Sequence, residues 1–176
     1  MAIPPIVAAF DSRADQQLAS LRNNPAANRV AYLASEIADY SMGWHILGVA
    51  VSIANPTLIP HTLRMAITLG VESALVNGAI KPLVKRERPT DWENVAGHGV
   101  RRPKTHSFPS GHSSSGVVAA SLLSAAVPTA RPLWWTLTAI VAWSRLHTRM
   151  HHASDIVAGA GIGWLIARAA KRLWVI

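Results

Sequence analysis

Residues 106–115 read HSFPSGHSSS. Ser110 is a good helix N-cap, and Gly111 behind it lets backbone or ligand approach closely. A segment of small and aliphatic residues follows, to about residue 127. A helix starting there directs its unpaired N–H groups and the positive end of its dipole beyond Ser110, which favours an anion. His112 falls in the first turn, where a protonated imidazole could protonate a leaving oxygen. Taken alone, the run also reads as an ordinary helix start, so the rest of the chain has to decide between the two readings.

Half of the 176 residues are hydrophobic and 15% are charged, against roughly 25% charged in an average soluble domain. That deficit points to a membrane protein, although no segment is an unbroken apolar run of about 20 residues. Five imperfect spans are expected, over about 40–54, 61–80, 110–127, 132–146 and 155–176. Upstream, Val30, Leu33 and Ile37 recur at helical spacing with Arg29, Glu36 and Asp39 between them. That pattern predicts an amphipathic helix over about 11–39 at the membrane interface. The expected fold is thus all-α: one membrane-embedded domain, 1–176, with five transmembrane helices over 40–176 and an interfacial N-terminal helix. Trp134, Trp135 and Trp174 suit an aromatic belt. Gly159 and Gly163, four apart, suit close helix packing. Arg64 and Glu72 lie inside the second span, facing either the bundle interior or, for Arg64, snorkelling from a helix end.

Lysine and arginine number 17 against 9 acidic residues. Such a balance fits a membrane surface, anionic substrates or nucleic acid. The basic residues cluster between apolar segments and make no continuous face, so no nucleic-acid partner is expected. Without cysteine there is no disulfide, thiolate metal site or cysteine nucleophile. The N-terminus lacks a basic start followed by a compact apolar core, and no cleaved signal peptide is expected.

Chemistry-bearing residues gather at the span ends. KPLVKRERP places Lys81 and Arg88 seven apart, and SRLHTRMHHASD places Arg145, His151 and Asp155 at intervals of six and four. On a helix His151 and Asp155 would share a face. The carboxylate could then fix the imidazole tautomer and leave the other nitrogen as a nucleophile. Arg145 offers a donor fork suited to phosphate oxygens. Lys81 and Arg88 would complete a cationic cage for charge building in phosphoryl transfer. If the spans alternate across the membrane, all these pieces meet on one side. His147 and His151 also have a metal-ligand spacing, but the Glu of the familiar HExxH pair is missing.

Together the pieces resemble the type 2 phosphatidic acid phosphatase (PAP2) family, whose pattern is Lys-x6-Arg-Pro, Pro-Ser-Gly-His and Ser-Arg-x5-His-x3-Asp. Lys81, Arg88 and Pro89, then Pro109 to His112, then Ser144, Arg145, His151 and Asp155 match it throughout. The resemblance implies a six-helix core and a phosphatase that uses no metal or cofactor. It implies His151 as the nucleophile forming a phosphohistidine, Asp155 orienting it, and His112 as the acid. Lys81, Arg88, Ser110, Gly111 and Arg145 would cradle the phosphate. The basic residues Lys85, Arg86, Arg102 and Lys104 are candidates for binding a headgroup.

The substrate implied is a lipid phosphate in a bilayer. The chain looks like compact actinobacterial members, which makes a decaprenyl-linked phosphoribose phosphate the specific expectation. Undecaprenyl diphosphate and phosphatidylglycerophosphate are the alternatives. The vanadium haloperoxidases share these residue types, but they are soluble and much larger. A non-catalytic lipid binder would not need every motif position. The expected location is a bacterial plasma membrane. Basic residues are denser on the motif side even with Lys81, Arg88 and Arg145 set aside, which favours a cytoplasmic active site.

Overall fold

The computed structural model describes residues 3–89 and 105–174, and every regular element among them is helical. Helices α1 (Pro5–Leu18) and α2 (Pro25–Ile37) precede α3 (Met42–Ala54) and α4 (Ile59–Ser73). A π-helical stretch, Ala74–Ile80, leads into the single turn α5 (Lys81–Val84), and α6 (Gly111–Ala126), α7 (Arg131–His147) and α8 (Ala153–Trp174) complete the bundle.

The single interfacial helix expected over 11–39 is two helices. Asn24 ends the first part and caps the second, its side chain accepting from the N–H groups of Ala26 and Ala27 at 2.9 and 3.3 Å. Pro25 at the first helical position then needs no donor of its own. The apolar stripe points the other way from what an inward-facing helix would show. Val30, Leu33 and Ile37 are 50, 50 and 61% exposed, while Ala31, Tyr32 and Ser35 are buried.

Helix α6 is the axis of the bundle, buried continuously from Ser113 to Leu123. Its small residues let α8, α7 and α4 pack around it. A Cβ on Gly159 or Gly163 would lie 2.3 Å from a carbonyl oxygen of Ser110 or Ser114, so α8 meets α6 backbone to backbone. The apolar core joins Trp44, Met65, Leu69, Val118, Leu123 and Trp134. Trp134 is therefore a core residue, not part of an interfacial belt. Arg64 stacks on the ring of Trp174 at 5.6 Å, near the start of α4, whereas Glu72 is buried inside the bundle.

Among the described residues, one of the five expected spans is long and apolar enough by itself to cross a bilayer: the 29-residue helical run Pro56–Val84. Pro25–Ile37 and Asp39–Ala54 pass together but are bent by 59°. At 13, 16 and 17 residues, α3, α6 and α7 fall short of the roughly 20 that a perpendicular span needs. Helix length thus does not carry a count of five.

Candidate active site

The start of α6 sits against the end of the Pro56–Val84 run. Ser110 caps α6, its Oγ accepting from the Ser113 N–H at 3.3 Å, and its own N–H donates to the Asp155 carbonyl at 3.0 Å. The N-terminus of α6 is thereby fastened to the N-terminus of α8. A Cβ on Gly111 would meet Asn77 Oδ1 at 3.4 Å and Lys81 Nζ at 3.7 Å, so the ammonium lies directly over the first turn of α6. Asn77 accepts from Lys81 Nζ at 2.8 Å and sets its direction. The π-helical stretch between them widens the helix just before Lys81, a feature often found at functional sites.

His151 and Arg88 face each other. Arg88 Nη1 lies 3.4 Å from His151 Nε2, and the guanidinium is steadied by the carbonyls of Met150 (2.5 Å) and Thr105 (3.0 Å). Burial, then the positive charges of Arg88, Arg145 and Lys81, hold His151 well below the ordinary imidazole range. Its Nδ1 faces Asp155 Oδ2 at 3.7 Å, outside hydrogen-bond distance.

The helical shared face expected for this pair is not how it is made. His151 lies in the turn before α8, and Asp155 stands at the third position of that helix. There its Oδ2 accepts from the His152 N–H at 2.9 Å, as a capping-box acid does. Its Oδ1 accepts from Arg86 at 2.6 Å.

Arg86, expected to be available to a headgroup, is committed elsewhere. Besides Asp155 it donates to Ser154 Oγ at 2.7 Å and to the buried Asp11 at 2.6 Å. Asp11, from α1, also accepts from the Ser154 N–H at 2.8 Å, placing a carboxylate on the N-terminus of α8. Of the other headgroup candidates, Lys85 is exposed with a left-handed φ of 50°, and Arg102 and Lys104 lie outside the described residues. A cavity of about 980 Å³ opens beside this segment, walled by α1, Lys85, Phe108, Arg149, Arg88 and His151.

Arg145 is buried and donates through Nη1 to Ser35 of α2. Helix α2 grips the same end of α7 again through Asn28, whose Oδ1 lies 2.7 Å from His147 Nε2. His147 is thus engaged away from His151, and no group of three or more candidate metal ligands occurs among the described residues. His112 Nε2 lies 2.9 Å from Asp39 Oδ1, in the bend between α2 and α3.

The fold therefore gathers Lys81, Arg88, Ser110, Gly111, His112, Arg145, His151 and Asp155 at one end of the bundle. Sequence reasoning missed Asn77, Ser35, Asp11 and Asp39. Only Asn77 carried a signal, four residues before Lys81 on one helix. The others come from the N-terminal helices and the bend after them, whose docking no local pattern announces.

The PAP2 superfamily profile matches residues 61–175. A decaprenylphosphoryl-5-phosphoribose phosphatase of Mycolicibacterium smegmatis is 33% identical over 144 residues, covering 80% of this chain and 76% of that protein. Its namesake in Mycobacterium tuberculosis is 31% identical over 147 residues, 82% of this chain and 78% of that one. The crystal structure of a transmembrane PAP2-type phosphatidylglycerolphosphate phosphatase from Bacillus subtilis superposes with a TM-score of 0.75 at 20% identity, over 98% of this chain and 88% of that one. With the profile spanning the three motifs and the bundle reproduced around them, the chain belongs to the PAP2 superfamily.

Proposed function

We propose that this chain removes a terminal phosphate from a polyprenyl-linked phosphosugar in a membrane, through a phosphohistidine on His151. That it is a lipid phosphatase follows from its family and its relatives. The observation that carries the mechanism is the buried meeting of His151 Nε2 with Arg88, beside Lys81 and the first turn of α6. Phosphate held there by Lys81, Arg88, Arg145 and the N–H groups of α6 would have its charge met by fixed donors. With a proton on Nδ1 toward Asp155, His151 presents the Nε2 lone pair to phosphorus. As the N–P bond forms and the ester P–O bond breaks, His112 protonates the leaving oxygen. Water then cleaves the N–P bond, returning the proton to His112 and releasing phosphate.

Two observations support the lipid environment. Many aliphatic side chains of α2, α3 and α4, such as Leu33, Ile37, Val49, Ile53, Leu63 and Val71, point outward, which suits a bundle surrounded by hydrocarbon. The Mycolicibacterium smegmatis and Mycobacterium tuberculosis relatives are named for decaprenylphosphoryl-5-phosphoribose, and the cavity beside His151 has room for a sugar-sized group. The experiment is phosphate release by purified protein in detergent across polyprenyl-phosphosugar, phosphatidylglycerophosphate and undecaprenyl diphosphate. The phosphosugar should give the highest kcat/KM. His151→Ala should stay folded and release no phosphate above background. Retained turnover in that variant would remove His151 as nucleophile.

A further inference from the structure

His112 has a carboxylate of its own. Asp39 reaches it across 73 residues of chain, Oδ1 to Nε2 at 2.9 Å. The backbone that carries Asp39 there is unusual. Tyr40 and Ser41 follow it with φ of 54° and 59°, left-handed values that are unfavourable for a non-glycine residue. Such conformations persist where the surrounding structure holds them, and they cluster at functional sites. Here they produce the bend between α2 and α3 and leave Asp39 at the mouth of the site, its side chain about half exposed.

The charges around His112 give this contact a chemical meaning. Arg145 bears on the ring from α7, Lys81 from the end of the α4 run, and His151 from the turn before α8. The two cations disfavour a proton on His112, and Asp39 is the negative group that favours one. A general acid inside a phosphate cage faces this conflict by construction, since the cations that hold the substrate also oppose the proton the reaction needs.

We propose that Asp39 is the positioning residue for the general acid, accepting from Nε2–H of His112 so that Nδ1–H is aimed at the leaving oxygen of the phosphate ester. This rests on the reading of His112 as the acid. When the ester P–O bond breaks, its electron pair stays on the leaving oxygen, which takes the Nδ1 proton. The neutral ring keeps Nε2–H on Asp39. In the second half-reaction, water attacks phosphorus and gives a proton to Nδ1, and the N–P pair returns to His151. The site would then hold two histidine–carboxylate pairs, one for the nucleophile and one for the acid.

The test compares wild type, Asp39→Asn, Asp39→Glu and His112→Ala on two substrates in mixed micelles. One is phosphatidate, whose alkoxide leaving group needs a proton, and the other is p-nitrophenyl phosphate, whose leaving group does not. General acids contribute roughly 100- to 10,000-fold. Asp39→Asn should lower kcat on phosphatidate by about tenfold or more while changing the aryl ester less than about threefold. The alkaline limb of its phosphatidate profile should move to lower pH, and Asp39→Glu should restore both readouts. Asp39→Ser replaces the Asn variant if the amide disturbs the turn. Equal losses on both substrates, or an unmoved pH profile, would overturn the proposal while leaving His112 as the acid. If His112→Ala itself shows no leaving-group dependence, the assignment of the acid fails and the role of Asp39 with it.

Discussion

His151 shows how a single residue is tuned by what surrounds it. Burial, then the charges of Arg88 and Arg145, disfavour a proton on a ring that lacks a short hydrogen bond at Nδ1, so the neutral form is favoured in the folded protein. The consequence for stability has a definite sign. Between the depressed folded value and the unfolded value near 6.5, the unfolded chain binds the extra proton. The contribution of His151 is therefore complete above about pH 6.5 and is lost as pH falls below it. Thermal unfolding in detergent from pH 8 to pH 5 should show a smaller acid-side loss in His151→Asn than in wild type. Equal slopes would mean that another group dominates that range. Lys81, Arg88, His112, Arg145, His151 and Asp155 could all be picked out from their spacing, because their chemistry is local to three short motifs. The use of Arg86 could not. Its partners Asp11 and Asp155 are 75 and 69 residues away, and a basic residue in a basic loop looks solvated until packing closes over it.

At the scale of elements, the contact between α6 and α8 fixes where the first turn of α6 sits. Gly159 and Gly163 bring α8 onto the backbone of Ser110 and Ser114, and the Ser110 N–H is fixed on the Asp155 carbonyl. Overpacking such a contact costs about 1–3 kcal/mol. Gly159→Ala should lower thermal stability by that order and reduce kcat, since Ser110 must move. Gly161, on the same helix, has nothing within 4 Å of a Cβ. Gly161→Ala should be neutral or gain up to about 1 kcal/mol from helix propensity. Equal effects at the two positions in thermal melts would show that helix propensity, not the contact with Ser110, controls this region. The spacing of the two glycines was plain in the sequence. Their partners were not, because a small-residue stripe says that something approaches without saying what.

Across the whole molecule, many aliphatic side chains are turned outward, while a core of Trp44, Met65, Leu69, Leu123 and Trp134 stays within. The periodicity of Val30, Leu33 and Ile37 marked a helix correctly, yet those side chains lie outside and Ala31, Tyr32 and Ser35 lie within. In hydrocarbon, apolar faces gain nothing by meeting each other, so small and polar residues pack inside. The same rule accounts for the buried Ser113, Ser114 and Ser115 at the start of α6. An apolar exterior also makes sidedness testable. The chain has no cysteine, and Lys85 is exposed beside the cavity. Lys85→Cys should react with an impermeant maleimide in inverted membrane vesicles and be protected in intact cells. The opposite pattern would place the site on the outer face.

Sequence alone determined the family of this chain, because three groups of reactive residues at span ends, in that order and spacing, leave few other readings. It also pointed to helices, since helical spacing of apolar residues and an N-cap such as Ser110 are local signals. Tertiary structure decided what holds those residues in place. The split of the N-terminal segment at Asn24, the grip of Ser35 on Arg145, the burial of Arg86 between Asp11 and Asp155, and the reach of Asp39 to His112 all join distant parts of the chain. Contacts of that kind depend on how whole helices dock, and docking is set by the summed fit of many side chains that no local spacing records.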